Sequence, residues 1–543
     1  MSTLTGGQAV YQALKAMGVK HVFCIVSIHN MPIIDAIRRG GDIELIMVRH
    51  EQGGAHAADG YSRATGEIGV MIASTGPGTT NTLTGLYESA YASSRVLLIT
   101  GQAETRFYGK GKGYVHELEN QLPLLDLVTQ RAESPRFASD IVPAIYRTVE
   151  AMSAGRPQPG AVEIPINLQY ETIEGALPEP PESVSVAPDP AAVKQAAEIL
   201  SKAKRRLILA GGGVNASDAS EALVKLAEAL DAPVVTTSNG RGSIPEDHPL
   251  SLGTVLLTGE LQQIVAETDI MLAVGTRFQG GPNGGNWQLK MPPMIHLDID
   301  PRMIHLNYPA DAEVVGDARL GLEGILEALN PVEVDATYNA RVKETSKEAK
   351  TGMLARIGPD HESVMNSIRD SLPRDGLIVR DSTVPAYFWG NNLIPLYEPR
   401  TTMGPTSGAI GPGLPLAIGA ALGSGKKTVV IQGDGGFMLH IGELATAAQY
   451  NLPIIICLFN DKGYGVLRAL QTAQFGESER SAVDLHAPDF VAVAKGMGLA
   501  SELVDKSADF PAAFSRALDT DGPVLLEINL DNFSPIQWRA VTR

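Results

Sequence analysis

Two carboxylates set in glycine-rich turns, Asp434 and Asp461, are the groups in this 543-residue chain best suited to chemistry. Asp434 stands in Gly433-Asp434-Gly435-Gly436-Phe437, and Asp461 in Asn460-Asp461-Lys462-Gly463-Tyr464-Gly465. Hard cations such as Mg2+ take oxygen ligands and often bind together with substrate phosphates. Backbone N–H groups at a glycine turn and a helix N-terminus suit a diphosphate. The stretch from 433 to 465 therefore reads as a cradle for a metal–diphosphate group. The plainer alternative is a surface turn in which Asp434 caps a helix. Chance supplies such a turn readily, but much less readily the whole strand, turn, helix and strand at this spacing.

The elements that must hold these groups alternate. Thr428 to Gln432 reads as a strand, 441 to 450 as a helix and Leu452 to Phe459 as a second strand, so both acids stand at the ends of neighbouring strands. The same rhythm opens the chain. A helix over Thr5 to Lys15 is followed by strands at Val22 to Val26, Ile43 to Val48, Gly69 to Ala73 and Val96 to Thr100, with helices over 31 to 39, 52 to 65 and 79 to 92 between them. It returns in the middle, with a helix over 190 to 203 and strands at Arg206 to Ala210, Pro233 to Thr236, Ile270 to Val274 and Met294 to Asp298. Alternation of this kind predicts an α/β chain of doubly wound, mostly parallel sheets covered by helices. Sites in such sheets lie at the carboxyl ends of the strands. Three domains are expected, over 1–178, 190–335 and 355–543. The Pro-rich stretch from Pro178 to Pro190 and a Lys- and Glu-rich stretch over 336 to 352 read as linkers.

Bulk properties bound the class. With 44% hydrophobic and 19% charged residues the composition is that of an ordinary globular protein. The net charge is −17 and no basic tract occurs, which gives a nucleic-acid partner no electrostatic support. No apolar run approaches the roughly 18 residues of a membrane span, and the N-terminus lacks the basic and apolar regions of a signal peptide. A cytoplasmic enzyme is expected. Cys24 and Cys457 both lie in apolar, strand-like runs and read as buried thiols rather than a disulfide or metal pair.

The Gly-Asp-Gly turn, followed 26 to 27 residues later by Asn460-Asp461 at a strand end, resembles the cofactor motif of thiamine diphosphate (ThDP)-dependent enzymes. Arg49-His50-Glu51-Gln52, followed by the run from Ala55 to Gly66, resembles the pyrimidine-binding domain of their acetolactate synthase-like members. The resemblance covers nearly the whole chain. It implies pyrimidine-binding, central Rossmann-like and diphosphate-binding domains. It also implies a homodimer or homotetramer, in which the cofactor is clamped between the first domain of one subunit and the last domain of another. Carried onto this sequence, the resemblance makes Asp434, Asp461 and the Gly463 carbonyl ligands of Mg2+. Asp461 departs from the family, where Asn is commoner, and adds a negative charge beside the diphosphate. Gly433, Gly435, Gly436, Tyr464 and Gly465 belong to the same cradle. Asp381 and Ser382 follow the strand Leu377 to Arg380, a strand end the family uses for diphosphate contacts. Ile410 matches the bulky residue that props the cofactor in a V shape, and Gly408 the carbonyl that accepts from its 4′-amino group. The V brings that nitrogen next to the thiazolium C2, as intramolecular proton transfer requires. Glu51 matches the acid that bonds N1′ of the aminopyrimidine and promotes the reactive tautomer. By position alone, a Glu in a first helical turn is accounted for by the helix dipole. Ala73 to Asn81 falls beside the cofactor across the subunit interface.

Two loops differ from acetolactate synthases. Where those have a Gly-Tyr-Pro-Gly-Gly-like turn, this chain has Cys24-Ile25-Val26-Ser27-Ile28-His29-Asn30. The outline is nearer to benzaldehyde lyase, which has a His where His29 falls, and Ile28 is shared with the acyl-CoA lyase branch. In the loop Gly113 to Gln121, His116 falls where relatives place a Gln or Tyr near the thiazolium. Imidazoles near neutral pKa relay protons, so His29 and His116 are substrate-facing candidates. The alternative for each is a loop His that is exposed or bonded to backbone.

The activity implied is that of a ThDP- and Mg2+-dependent 2-oxo acid decarboxylase or carboligase. It would form or cleave a C–C bond next to a carbonyl through an enamine, with a 2-oxo acid or acyloin as substrate. The alternatives are a lyase acting on 2-hydroxy ketones or 2-hydroxyacyl groups, a flavin-dependent pyruvate oxidase, and a non-catalytic ThDP-binding subunit. Intact Glu51 and metal ligands speak against the last, and the presence of Glu51 against a glyoxylate carboligase. Little sequence follows the strand Val524 to Asn529 before Pro535-Ile536-Gln537-Trp538-Arg539, which counts against a CoA lid. Gly211-Gly212-Gly213 lacks the dinucleotide spacing, and Ser251 to Glu260 lacks the Gly-Met-His-Gly-like pattern of flavin-binding members, so FAD is expected to be absent.

Overall fold

The computed structural model describes residues 3–537 apart from 183–184, 255–258 and 280–289. Residues 255–258, part of the stretch read against a flavin, and Trp538-Arg539 lie outside the described residues. Three six-stranded sheets, one per domain, are built entirely from parallel neighbours. The first contains β1 (His21–Cys24), β2 (Glu44–Met47), β3 (Gly69–Ala73), β4 (Val96–Gln102), β5 (Arg131–Glu133) and β6 (Gly160–Pro165), in the order β2-β1-β3-β4-β6-β5. The central sheet contains β7 (Arg206–Ala210), β8 (Val234–Thr236), β9 (Ser251–Gly253), β10 (Ile270–Val274), β11 (Met294–Asp298) and β12 (Ala312–Val315), in the order β9-β8-β7-β10-β11-β12. The third contains β13 (Leu377–Arg380), β14 (Thr402–Met403), β15 (Thr428–Gly433), β16 (Ile454–Asn460), β17 (Ala500–Val504) and β18 (Val524–Asn529), in the order β14-β13-β15-β16-β18-β17. The first and third sheets are thus wound identically. A parallel strand covered on both faces must be apolar almost throughout, which is why β16 reads Ile-Ile-Ile-Cys-Leu-Phe-Asn and is buried along its length.

The helices α1 (Glu51–Thr65) and α2 (Pro77–Ala92) cover the first sheet. The Lys- and Glu-rich stretch over 336 to 352, expected as a linker, is instead the start of α3 (Ala336–Ser371), which is broken at Gly358, where φ is +76°. Composition misleads here because spacing decides. Tyr338, Val342 and Ser346 recur every four residues on one buried face, and the charges occupy the other. Asp335 caps the helix, accepting from Tyr338 N at 3.0 Å.

In the third domain, α4 (Gly413–Ser424), α5 (Glu443–Gln449) and α6 (Gly465–Phe475) follow β14, β15 and β16. The first and third domains meet where α1 crosses α4 in backbone contact. A Cβ on Gly60 would stand 2.0 Å from the Leu416 carbonyl oxygen, and one on Gly419 would stand 1.7 Å from that of Ala57. Cys24 and Cys457 are buried, unpaired thiols, as expected, and burial pushes that of Cys24 up to about 12. Among the described residues no helix is long and apolar enough to cross a membrane.

Candidate active site

Asp434 opens a single helical turn, Asp434–Phe437, at the end of β15, and Asp461 follows the end of the adjacent β16. The Asp461 N–H donates to Asp434 Oδ1 at 3.3 Å. Burial raises the Asp434 carboxyl, while burial and the charge of Asp434 push Asp461 up to about 7. The nearby cation is Arg468, whose guanidinium lies 3.6 Å from Asp461 Oδ2 and is shared with Asp484 and two backbone carbonyls. A buried carboxylate beside a half-buried one that it raises, with only partial compensation from Arg468, is the donor set a hard divalent cation relieves. The turn around them also fits a bulky anion. A Cβ on Gly435 would lie 2.8 Å from the Tyr464 ring and 3.0 Å from the Gly463 carbonyl oxygen, and one on Gly465 would lie 1.9 Å from Asp461 Oδ2. Residues present therefore fit Mg2+ and a diphosphate. Asn460 is spent elsewhere. Its amide donates to Glu527 Oε1 at 2.8 Å, and its oxygen accepts from Lys462 N. The fold leaves Asp461 facing Asp434.

Asp381 and Ser382 sit at the end of β13. The Asp381 carboxylate is consumed within the protein, accepting from the N–H groups of Gly411 and Gly413 and from Gln432 Nε2. Ser382 Oγ donates to the Ala409 carbonyl at 3.0 Å. Both brace the loop that carries Gly408, with φ +84°, and Ile410, an aliphatic side chain left 40% exposed.

Glu51 is the first residue of α1. His50 caps this helix, its Nδ1 accepting from Gln52 N at 3.1 Å. Asn81 Nδ2 donates to Glu51 Oε2 at 2.9 Å, and the other carboxylate oxygen would lie 3.3 Å from a Cβ on Gly78. Asn81 lies in the Ala73–Asn81 stretch singled out from sequence, but its bond to Glu51 was not legible there.

His29 and His116 come together, with ring centroids 5.3 Å apart. His29 is buried, neither of its ring nitrogens has a hydrogen-bond partner, and Tyr114 packs edge-on against it at 5.9 Å. Burial and the neighbouring His116 hold its pKa below the ordinary histidine value. His116 has φ +60° and is exposed, with Nδ1 3.3 Å from Ser74 Oγ, which in turn accepts from Ser27 Oγ at 2.8 Å. Ser27 and Ser74 lie in stretches singled out from sequence, but the chain they form to His116 was not legible there.

A cavity of about 660 Å³ lies where the three domains meet, with Arg95, Arg156, Arg277, Gly212, Gly213 and Ser382 in its wall. Burial pushes Arg156 down to about 10 and raises Asp298 to about 6. Among the described residues no cluster of three or more His, Cys, Asp or Glu side chains could bind a metal by itself.

Three family models match this chain in order. These are the N-terminal TPP binding domain of thiamine pyrophosphate enzymes over residues 4–124, their central domain over 193–325 and their C-terminal TPP binding domain over 385–528. The chain is 32% identical to a probable acetolactate synthase large subunit of Methanocaldococcus jannaschii, over 97% of this chain and 92% of that protein. It is 32% identical to a probable 2-ketoarginine decarboxylase of Pseudomonas aeruginosa, over 97% and 94%. It is 30% identical to the acetolactate synthase isozyme 2 large subunit of Escherichia coli, over 99% and 97%. With all three domains matched in order and full-length relatives at this identity, the chain belongs to the acetolactate synthase-like family of thiamine diphosphate-dependent enzymes.

Proposed function

We propose that this enzyme is a ThDP- and Mg2+-dependent 2-oxo acid decarboxylase or carboligase, forming or cleaving the C–C bond next to a carbonyl. The names of its acetolactate synthase and 2-ketoarginine decarboxylase relatives support this class of reaction. The observation that carries the cofactor assignment is the Asp434–Asp461 pair, one acid buried and the other half-buried, beside the Gly435 turn. When bound, ThDP supplies a nucleophilic carbon that adds to a carbonyl and accepts the electron pair left when the neighbouring bond breaks. Asp434, Asp461 and the Gly463 carbonyl would hold the metal, and the Gly435–Gly436 amides would bind the diphosphate. Ile410 would support the cofactor from the loop beside Asp381, and the Gly408 carbonyl would accept from its amino group. Glu51, oriented by Asn81, holds a proton at the pyrimidine nitrogen. His29, kept neutral by burial, exchanges a proton with the substrate oxygen, and His116 serves beside it.

The exposed Ile410, Ile28 and Val26 around these groups support a second subunit covering the site, as a homodimer or homotetramer. Mass photometry checks the assembly. The central domain is proposed to carry no flavin, so the purified protein is expected to be colourless and a yellow one would overturn this. The decisive experiment is a panel of 2-oxo acids and acyloins with ThDP and Mg2+, read for CO2, aldehyde and ligation product. CO2 release from a 2-oxo acid is expected, and loaded enzyme inert toward the whole panel would overturn the reading. A second reading, a lyase acting on 2-hydroxy ketones, is favoured by the buried, unpartnered His29. Aldehyde release from an acyloin without CO2 from any 2-oxo acid would select it.

A further inference from the structure

The identical winding of the first and third sheets makes α2, between β3 and β4, the counterpart of α5, between β15 and β16. By the same correspondence, the turn leading from β2 into α1 matches the loop leading from β14 into α4. Each counterpart helix carries one buried glutamate, and each glutamate reaches across the domain boundary to the other domain's turn. Glu443 on α5 accepts with Oε1 from the N–H groups of both Arg49 and His50 at 3.0 Å. Glu88 on α2 accepts from Thr406 N at 2.5 Å and Ser407 N at 3.0 Å, one on each oxygen. The next residue after His50 is Glu51, and the next after Ser407 is Gly408.

We infer that Glu443 and Glu88 are reciprocal positioning residues, each holding in place the cofactor-facing segment of the other domain. Neither touches the cofactor. The inference rests on the reading that Glu51 and the Gly408–Ile410 loop face it. A carboxylate gripping two consecutive backbone N–H groups makes charge-assisted bonds, shorter and stronger than neutral ones. On the α1 side it also satisfies the N–H of the N-cap His50, a donor that a helix start leaves open. Both seats are built. Thr446 Oγ1 donates to Glu443 Oε2 at 2.5 Å, and Ser407 Oγ and the Arg63 guanidinium donate to Glu88. A Cβ on Gly53 would stand 2.5 Å from Glu443 Oε1, so the acid occupies the space a side chain there would need. Arg63 also donates to the Gly404 carbonyl at 2.7 Å, tying the same loop a second time. The two acids grip different halves of the site, so their loss should separate into different defects. Glu443 supports the segment of the proton-handling acid, and Glu88 supports the segment that shapes and seats the cofactor.

The test is amide hydrogen exchange on the cofactor-free full-length protein, with ThDP affinity and hydrogen exchange at C2 of bound ThDP measured alongside. Glu443→Gln is expected to deprotect 49–53 but not 406–411. It should slow C2 exchange by about tenfold or more while leaving ThDP affinity within about threefold. Glu88→Gln is expected to deprotect 406–411 but not 49–53, and to weaken ThDP binding by about tenfold. This crossed pattern is one that a merely structural role would not produce. Deprotection confined to each acid's own domain, or crossed deprotection with both cofactor readouts unchanged, would overturn the proposal. If Glu443→Gln does not fold, Thr446→Val removes the hydroxyl that orients Glu443. It should deprotect 49–53 to a smaller degree, and no change there would overturn the proposal. If the unaltered protein bound no ThDP, the cofactor reading would fall, and the crossed exchange would still support the two clamps.

Discussion

Asp461 donates its backbone N–H to Asp434 Oδ1 at 3.3 Å across the ends of adjacent strands, which places a half-buried carboxylate beside a buried one. Asp461→Ala is expected to lower Mg2+-supported ThDP affinity by about 100-fold, because it removes an oxygen ligand. Asp461→Asn keeps that oxygen and should stay within about tenfold of the unaltered protein. Isothermal titration with Mg2+ held constant checks both. Unchanged affinity in the alanine variant would exclude Asp461 as a ligand.

Glu51 is held by Asn81 at the first turn of α1 rather than paired with a cation. Glu51→Gln preserves size and the bond to Asn81 but removes the charge that holds a proton. Turnover should fall by about 10²- to 10⁴-fold with ThDP affinity nearly unchanged. Steady-state kinetics with a cofactor titration reads the two separately, and undiminished turnover would remove Glu51 from catalysis.

The α1–α4 crossing has no room for a side chain at Gly419, where a Cβ would stand 1.7 Å from the Ala57 carbonyl oxygen. Gly419→Ala forces the two helices apart and should cost roughly 1–3 kcal/mol, as overpacking of a tight core does. Chemical denaturation measures this. Gly425→Ala makes a useful contrast, because Gly425 has open space but φ +68°, so any loss there comes from backbone strain alone.

Two buried imidazoles give the protein an acid limit. Burial holds His56 down to about 3 and His361 down to about 4. His361 Nδ1 also lies 3.4 Å from Trp389 Nε1, which donates to it. The unfolded chain therefore binds more protons than the folded one once the pH drops below the ordinary histidine value. Stability is unaffected by these two groups above about pH 7 and falls from about pH 6.5 downward, each imidazole contributing a slope of about 1.4 kcal/mol per pH unit. Urea unfolding at a series of pH values should show this decline, and His361→Leu should flatten it by one imidazole's share. A profile with no decline between about pH 6.5 and 5 would contradict the assignment.

Much of the architecture was legible because parallel strands must be apolar and short. Gly69–Ala73, Arg206–Ala210, Leu377–Arg380 and Val524–Asn529 were read at their observed bounds. Asp434 and Asp461 were legible because both stand in glycine-rich turns at strand ends. The stretch over 336 to 352 was misread because its abundant charge hid a buried face built from single residues four apart.

Local pattern by itself determined three α/β domains and the two acids at neighbouring strand ends, and the motifs around them carried the resemblance to thiamine diphosphate-dependent enzymes, because these depend on residues close together in the chain. Only the tertiary structure decided the pairings between distant segments. It turned Asn460 toward Glu527 and left Asp461 facing Asp434, and it brought the buried His29 against the exposed His116. It also set Glu443 beneath Arg49 and His50, 393 residues away from the nearer of them. The reason is physical. A buried carboxylate must find N–H partners wherever packing brings them, and no periodicity along the chain records which distant backbone that will be.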